Sequence, residues 1–481
     1  MSNYITPLDQ KVLSMDAFGI AESIRNEEFT SEEAVTAYIN HIKKLNPVIN
    51  AVVEERFKQA LTEAKEMDQL LLSSSTIGPL HGVPISVKES LHVANMKTTG
   101  GLEHRQDLIA RYDADVITEL KKAGAIIIAK TNTPALCFCQ ETENKLYGRT
   151  NNPWDVTRTA GGSSGGEGAL LAVGGASVGI GSDIGGSIRF PSHFNGVVGF
   201  KPGMFQVSAE GHFPRIDEKL QERMLSVGPM GKSVRDMELV YNIISYNSTS
   251  TQSLNDYKIE ILPNNINYPL TDNTKGILDA VENFLTTSYS IKRSTPPFFE
   301  DSALLWQEIM SINGSELIEK EAYNHDRSNP ITSFFKEKLT ERTSIHPYLS
   351  WAIIGAKLFK PSKNRIREIE AIIKREEDNL AEYLVDRLLI FPVYHSGALL
   401  HGNVFKEIFS IRRTFLEYMP YVAYANVWGL PSLTIPVGTD EHKMPISIQI
   451  MSCNGNEDAI FRLGKIIEKK FRGYIRCSRL D

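Results

Sequence analysis

Thirteen of the chain's 34 glycines fall within the 39 residues from Gly161 to Gly199. Uniform placement would put roughly three there. The block reads Gly161-Gly-Ser-Ser-Gly-Gly-Glu-Gly168 and then Gly179-Ile-Gly-Ser-Asp-Ile-Gly-Gly-Ser187-Ile-Arg189-Phe-Pro. Glycines surround serines twice. Such packing turns backbone N–H groups toward a common point and admits conformations closed to other residues. One chemical use is an oxyanion hole, several main-chain donors aimed at an oxygen that becomes negative in a transition state. Purely structural turns are the plain alternative. A dinucleotide loop fits less well, because Gly179-Ile-Gly-Ser-Asp-Ile-Gly185 is one residue too long for G-x-G-x-x-G. Gly161-Gly-Ser163-Ser-Gly165 formally matches the nucleophile elbow G-x-S-x-G, but that motif needs a buried strand directly before it, and residues 153–160 do not read as one.

The rest of the composition narrows the choices. Apolar residues make up 42% and charged residues 23%, close to the soluble globular average. A length of 481 residues can bury a large core without disulfide or metal staples. The net charge of −6 argues against a nucleic-acid binder. Cys137, Cys139, Cys453 and Cys477 make neither a disulfide framework nor a zinc pattern. H-E-x-x-H and G-x-x-x-x-G-K-[ST] do not occur, so no metal and no cofactor are expected. The first residues show no basic n-region and no apolar h-region, and no run of 18 apolar residues occurs anywhere. The expected location is cytoplasmic or peripheral to a membrane.

The chain alternates helices and buried strands. Thr30 and Glu33 form a capping box for a helix over about 30–45, with Asn46-Pro47 as its stop. A second helix is expected over about 56–72. The run Gly82-Val-Pro-Ile-Ser-Val-Lys88 is a short β-branched strand ended by a lysine, unusual because buried strands avoid charge. Asp113 is read as the cap of a helix over 114–122, followed by a buried strand over 125–129. Further strands are expected over 388–392 and 430–437, with a half-buried one over 446–450. Helices follow at 237–244 and 457–470. This grammar predicts an α/β fold: one large domain over 1–481, with a twisted, mixed, largely parallel β-sheet core sandwiched by α-helices. A variable, mostly helical insertion at about 246–387 interrupts it.

The stretch GGSSGGEGALLAVGGASVGIGSDIGGSIRFPSHFNGVVGFKP (161–202) resembles the signature of the amidase signature family of serine hydrolases. Gly82 to Glu89 resembles the family's lysine segment, and Lys130-Thr-Asn132, Gly228-Pro-Met230 and Leu430 to Val437 match further pieces. Glu167, the wording Ile184 to Pro191 and Tyr147-Gly-Arg-Thr-Asn-Asn-Pro153 look most like its fatty-acid amide hydrolase branch. Phe190 stands where the amidase component of the transamidosome typically has glutamine.

The resemblance implies a Ser–Ser–Lys triad, with Ser187 as nucleophile, Ser163 as bridging serine and Lys88 as base. A serine hydroxyl attacks only when a base takes its proton, and a lysine is a base only when neutral, which burial favours. The resemblance further implies an oxyanion hole from the backbone N–H groups of Ile184, Gly185, Gly186 and Ser187, and a cis peptide before Ser163. Cys137 and Phe138 fall where the branch lines its acyl channel. Asp183 and Arg189 are expected to brace the nucleophile turn, and Ser164 and Ser182 to be turn or cap residues. None of the 11 histidines is needed. The expected partner is a small-molecule amide, lipid-like in the favoured reading. The alternatives are aryl or short alkyl amides, or glutamine hydrolysed on behalf of a partner protein. Peripheral membrane contact, for which the apolar stretch 348–360 is the candidate, and homodimerisation are left open.

Overall fold

The computed structural model describes residues 6–73, 77–246, 252–324, 329–340, 343–409 and 412–481. Among these, eleven strands form one sheet. In sheet order they are β1 (Val52–Glu55), β3 (Ile126–Thr131), β2 (Pro84–Lys88), β8 (Val178–Asp183), β10 (Ser226–Gly231), β9 (Val198–Lys201), β14 (Ser432–Thr439), β15 (Pro445–Met451), β13 (Arg387–Pro392), β11 (Lys258–Ile261) and β12 (Ile291–Arg293). The other strands make two small hairpins, β4 (Glu143–Asn144) with β5 (Gly148–Arg149) and β6 (Asn151–Asn152) with β7 (Asp155–Thr159).

The expected α/β fold with a mixed sheet between helices is what forms. Its parallel pairs lie in two blocks, β3–β2–β8 and β13–β11–β12. The strands between those blocks, and β1 at the edge, pair antiparallel. β2, β3, β8 and β15 are buried along their whole length. Each fully buried Val, Ile or Leu side chain there contributes roughly 1.5–3 kcal/mol. The strand over 446–450, expected to be half-buried, is covered on both faces because helices Arg189–Asn195 and Glu457–Lys470 both pack against it.

Local signals held where the side chain had one partner to choose. Thr30 and Glu33 form the capping box of helix Ser31–Ile49. That helix does not stop at Pro47. It runs through to a left-handed cap at Asn50, and the Asn46 side chain takes the N–H groups of Ala51 and Val52. A proline in the last turn removes one donor, which is tolerable there. Asp113 does not cap the helix Asp115–Lys122. Its carboxylate binds the Ala94 N–H and pairs with Lys121 instead. A strand does precede Ser163, but β7 belongs to a small, only partly buried hairpin and not to the core sheet, so it lacks the setting of an elbow.

The stretch 246–387 is only partly an insertion. β11, helix Asp272–Leu285 and β12 extend the core sheet by two parallel strands. Helices follow from Ser302 to Leu384: Trp306 and Ile373 share an apolar cluster with Phe190 and Phe391 of the sheet side, whereas Ile318, Leu349 and Ile353 pack with Leu102 and Leu136.

Candidate active site

Lys88 closes β2 and is fully buried. Its Nζ lies 2.7 Å from Ser163 Oγ and 2.9 Å from Ser182 Oγ. Ser182 comes from β8, the parallel neighbour of β2. The amine therefore sits at the carboxyl ends of parallel strands, where sheets of this kind gather their ligand sites. Burial lowers the Lys88 amine below the ordinary lysine range, while Cys137, Asp183 and Glu167 pull the other way. Lys88 and Cys137 share one charge. Burial pushes the Cys137 thiol up, and the charge of Lys88, where it is an ammonium, and hydrogen bonds with His212 and Thr133 bring it down. Burial disfavours that ammonium, so the direction that holds is the lowered lysine.

Ser163 follows a cis Gly162–Ser163 peptide, as the resemblance implies. Helix Gly165–Ala172 then carries Glu167 under the sheet. Glu167 accepts hydrogen bonds from Ser86 Oγ at 2.6 Å and Thr131 Oγ1 at 2.8 Å, tying the helix to the ends of β2 and β3. A Cβ at Gly179 would lie 2.0 Å from Glu167 Oε2, so this glycine is there for close approach. Burial pushes the Glu167 carboxyl up to about 7, against its two hydroxyl donors and the charge of Lys88.

Ser187 sits in the turn between β8 and helix Arg189–Asn195. Asp183 and Arg189 brace this turn as expected. Arg189 Nε and Nη2 each donate to the Asp183 carboxylate at 3.0 Å. Arg189 Nη1 reaches the Val422 carbonyl and Asn426 joins both partners. Burial pushes the Asp183 carboxyl up, but the Arg189 charge and hydrogen bonds more than offset it and hold it well below the usual carboxylate range.

One of the four expected oxyanion donors is used elsewhere. The Gly186 N–H donates to Asp183 Oδ1 at 2.8 Å and serves the turn. The N–H groups of Ile184, Gly185 and Ser187 make no hydrogen bond to the described residues. Two side chains hold the carbonyls of this loop: Trp306 Nε1 donates to Ile184 O at 2.7 Å and Gln140 Nε2 to Gly185 O at 3.1 Å. Because carbonyl and N–H point opposite ways across a trans peptide, these two contacts fix where the Gly185 and Gly186 N–H groups aim.

Ser163, Ser182 and Ser187 open on one cavity. Hydrogen bonds join Lys88 to Ser163; Ser163 and Ser187 share the cavity wall without one between their hydroxyls. Catalytic hydrogen bonds are often long before substrate tightens them. Cys137 and Phe138 line the cavity. Leu136 and Cys137 take left-handed backbone, with φ of 53° and 61°. Such a conformation strains side chains with a Cβ and marks a turn held by its surroundings. Trp306, Met310, Trp351 and Phe359 supply further apolar wall from the helical stretch.

Sequence reasoning missed Ser182, His212 and Trp306. Ser182 is no cap: its hydroxyl meets Lys88 Nζ and His212 Nε2, each at 2.9 Å. The helix Pro347–Leu358, within the stretch considered for membrane contact, is a cavity wall through Trp351, Ala352 and Gly355. Among the described residues no helix is long and apolar enough to cross a membrane, and no three His, Cys, Asp or Glu side chains gather as a metal site requires.

A family model described as Amidase matches residues 33–461. Fatty-acid amide hydrolase 2-B of Danio rerio is 30% identical, aligning over 98% of this chain and 92% of its own length. A glutamyl-tRNA(Gln) amidotransferase component of Prochlorococcus marinus is 27% identical over 96% of this chain and 98% of its own. A solved structure of a fatty acid amide hydrolase superposes with a TM-score of 0.81, 21% identity, and coverage of 96% of this chain and 86% of the other. The fold is thus shared with enzymes of differing substrates, and the family match spans the sheet, the serine–glycine block and the helical stretch. The chain belongs to the amidase family, the amidase signature hydrolases that act on amides.

Proposed function

We propose that this chain hydrolyses fatty-acid amides, N-acylethanolamines or primary fatty amides, through an acyl-enzyme on Ser187. The observation that carries this reading is the contact of the buried Lys88 amine with Ser163 at 2.7 Å, on the edge of a cavity that Ser187 shares and whose walls are mainly apolar. Neutral Lys88 takes the Ser163 proton as Ser163 takes that of Ser187. Ser187 Oγ attacks the amide carbon. The carbonyl oxygen gains the charge and is met by the N–H groups of Ile184, Gly185 and Ser187, each worth roughly 3 kcal/mol in comparable sites. Ser163 gives its proton to the leaving nitrogen as Lys88 returns one to Ser163, and the C–N bond breaks, leaving the acyl group on Ser187 and Lys88 neutral. Water then repeats the route and frees the acid.

The apolar walls favour an alkyl acyl group over the polar side chain of glutamine. Helix Pro330–Thr340 adds a reason to expect lipid. Ile331, Phe335 and Leu339 recur every four residues on one face and are 51%, 58% and 83% exposed, with Leu358 nearby in sequence to the cavity wall at 73%. A peripheral membrane contact through this face would bring lipid amides to the cavity. The test is a panel of acyl ethanolamides and primary amides of rising chain length, with fluorophosphonate labelling of wild type and Ser187→Ala. Loss of label in Ser187→Ala and faster turnover of longer acyl chains support the reading. Labelling that persists in Ser187→Ala, or glutamine as the preferred amide, overturns it.

A further inference from the structure

His212 lies 30 positions beyond Ser182 in the chain, yet backbone contacts dock it beside Lys88. Leu91 and His212 form an isolated bridge, the Phe213 N–H donates to Ser90 O at 2.7 Å, and the His92 N–H donates to Gly211 O at 2.8 Å. The segment that follows β2 therefore carries Lys88 and, through this docking, His212.

The hydrogen bonds fix the imidazole's tautomer. Nδ1 lies 3.1 Å from the Pro214 carbonyl, which can only accept, so Nδ1 carries the proton. In the neutral ring Nε2 is then an acceptor. Its nearest donor is the Ser182 hydroxyl at 2.9 Å, with Ser90 Oγ farther at 3.4 Å. With its proton given to His212, Ser182 Oγ must accept an N–H from Lys88, 2.9 Å away. A neutral amine has two N–H groups and one lone pair. With one N–H turned to Ser182 and the other to the Cys137 sulfur, which also hydrogen-bonds the amine, the lone pair is left for the Ser163 hydroxyl at 2.7 Å.

We propose that His212 is a positioning residue for the base: acting through Ser182, it turns the Lys88 lone pair toward Ser163. This rests on the reading of Lys88 as base. The other titratable or charged groups around His212 are the Cys137 thiol, from the turn at 134–138, and His92, with Arg105 over the neighbouring Phe213 ring and Glu210 on the same segment.

The experiment measures the second-order rate of fluorophosphonate labelling at Ser187 from pH 5 to 9, on the full chain. His212→Gln is expected to lower the alkaline plateau about tenfold and to displace the acid limb by at least half a pH unit. Ser182→Ala should do the same, and Ser182→Thr, which keeps the hydroxyl, should restore the rate to within threefold of wild type. The double variant His212→Gln/Ser182→Ala should be no slower than Ser182→Ala alone. A His212→Gln profile that superimposes on wild type after scaling overturns the proposal, as does a double variant whose losses multiply. If His212→Gln does not fold, His212→Asn and the Ser182 pair decide by the same criteria. Wild type that takes no label at Ser187 overturns the hydrolase mechanism itself and this inference with it. Normal labelling with an unmoved His212 profile removes this inference alone.

Discussion

Arg189 holds both oxygens of Asp183 at 3.0 Å, and neither side chain reaches solvent. The same carboxylate takes the N–H groups of Gly186 and Ile188, so one buried ion pair sets the shape of the turn that carries Ser187. Breaking a buried pair by removing one partner leaves the other charge uncompensated and costs about 3–5 kcal/mol. Asp183→Asn should therefore lower stability in urea unfolding by that amount and slow Ser187 labelling together with it. The sign with pH follows from the depressed carboxyl. Its contribution is complete above the ordinary aspartate value of 3.8 and is lost progressively as pH falls below that value toward the much lower folded one. Wild type should therefore lose this part of its stability in strong acid, and the Asn variant should show a flatter acid limb.

Lys88 works as a base only when neutral, and burial lowers its pKa. Amide hydrolysis should accordingly rise with pH as Lys88 loses its proton and level off below 10.5, the value of a free lysine. Lys88→Ala should lose on the order of 10²–10⁴-fold in kcat/KM and lose the acid limb as well. A pH–rate profile of both proteins, with an unreactive Ser187→Ala as background, checks it.

Glu167 titrates the opposite way. Its folded value of about 7 exceeds the ordinary 4.5. Its stabilising contribution is complete below 4.5 and is lost as pH rises through about 7. Glu167→Gln mimics the protonated acid. It should match wild type near pH 4 and exceed it in stability at pH 8, by roughly 1–3 kcal/mol. Chemical denaturation at the two pH values reads the difference.

Gly355 lines the cavity, and a Cβ built there meets nothing within 4 Å. A larger side chain should enter empty space at no cost to the helix, since glycine is the weaker helix former by about 1 kcal/mol. Gly355→Leu should keep activity on a short acyl amide within twofold and cut turnover of the longest chains at least tenfold, as measured on the chain-length panel.

Ile331, Phe335 and Leu339 are expected to meet lipid. Replacing all three with Ser should reduce co-sedimentation with phosphatidylcholine vesicles at least tenfold, at roughly 1.5–3 kcal/mol for each side chain withdrawn from lipid. The rate on a water-soluble amide should stay within twofold.

The parts of this site that were legible in the sequence are those where a residue contradicts its local surroundings. A lysine ends a buried strand at Lys88, and glycines crowd two serines at Ser163 and Ser187. Those anomalies have no cheap structural reason, so they point to chemistry. Ser182 reads as an ordinary turn residue because its partners, Lys88 and His212, come from 94 and 30 positions away. Trp306 is silent for the same reason: its hold on the Ile184 carbonyl spans 122 positions and belongs to tertiary packing. Gly186 shows a finer limit: a carboxylate three residues earlier takes the N–H expected to serve as a donor. Pro47 and Asp113 show the general limit, since a stop or cap signal yields when another partner satisfies the freed group.

The amine and the hydroxyls hang from β2, β8 and the turns beside them, whereas Trp306, Met310, Trp351 and Gly355 reach the cavity from helices between Ser302 and Leu384. Leu136, Cys137 and Phe138 share the stretch of the reacting groups, but much of the remaining wall lies in another part of the chain. Substitutions in the helical stretch can widen, shorten or re-aim the acyl wall while the reacting groups keep their register. A lineage built this way can exchange one amide for another in small steps, each still active.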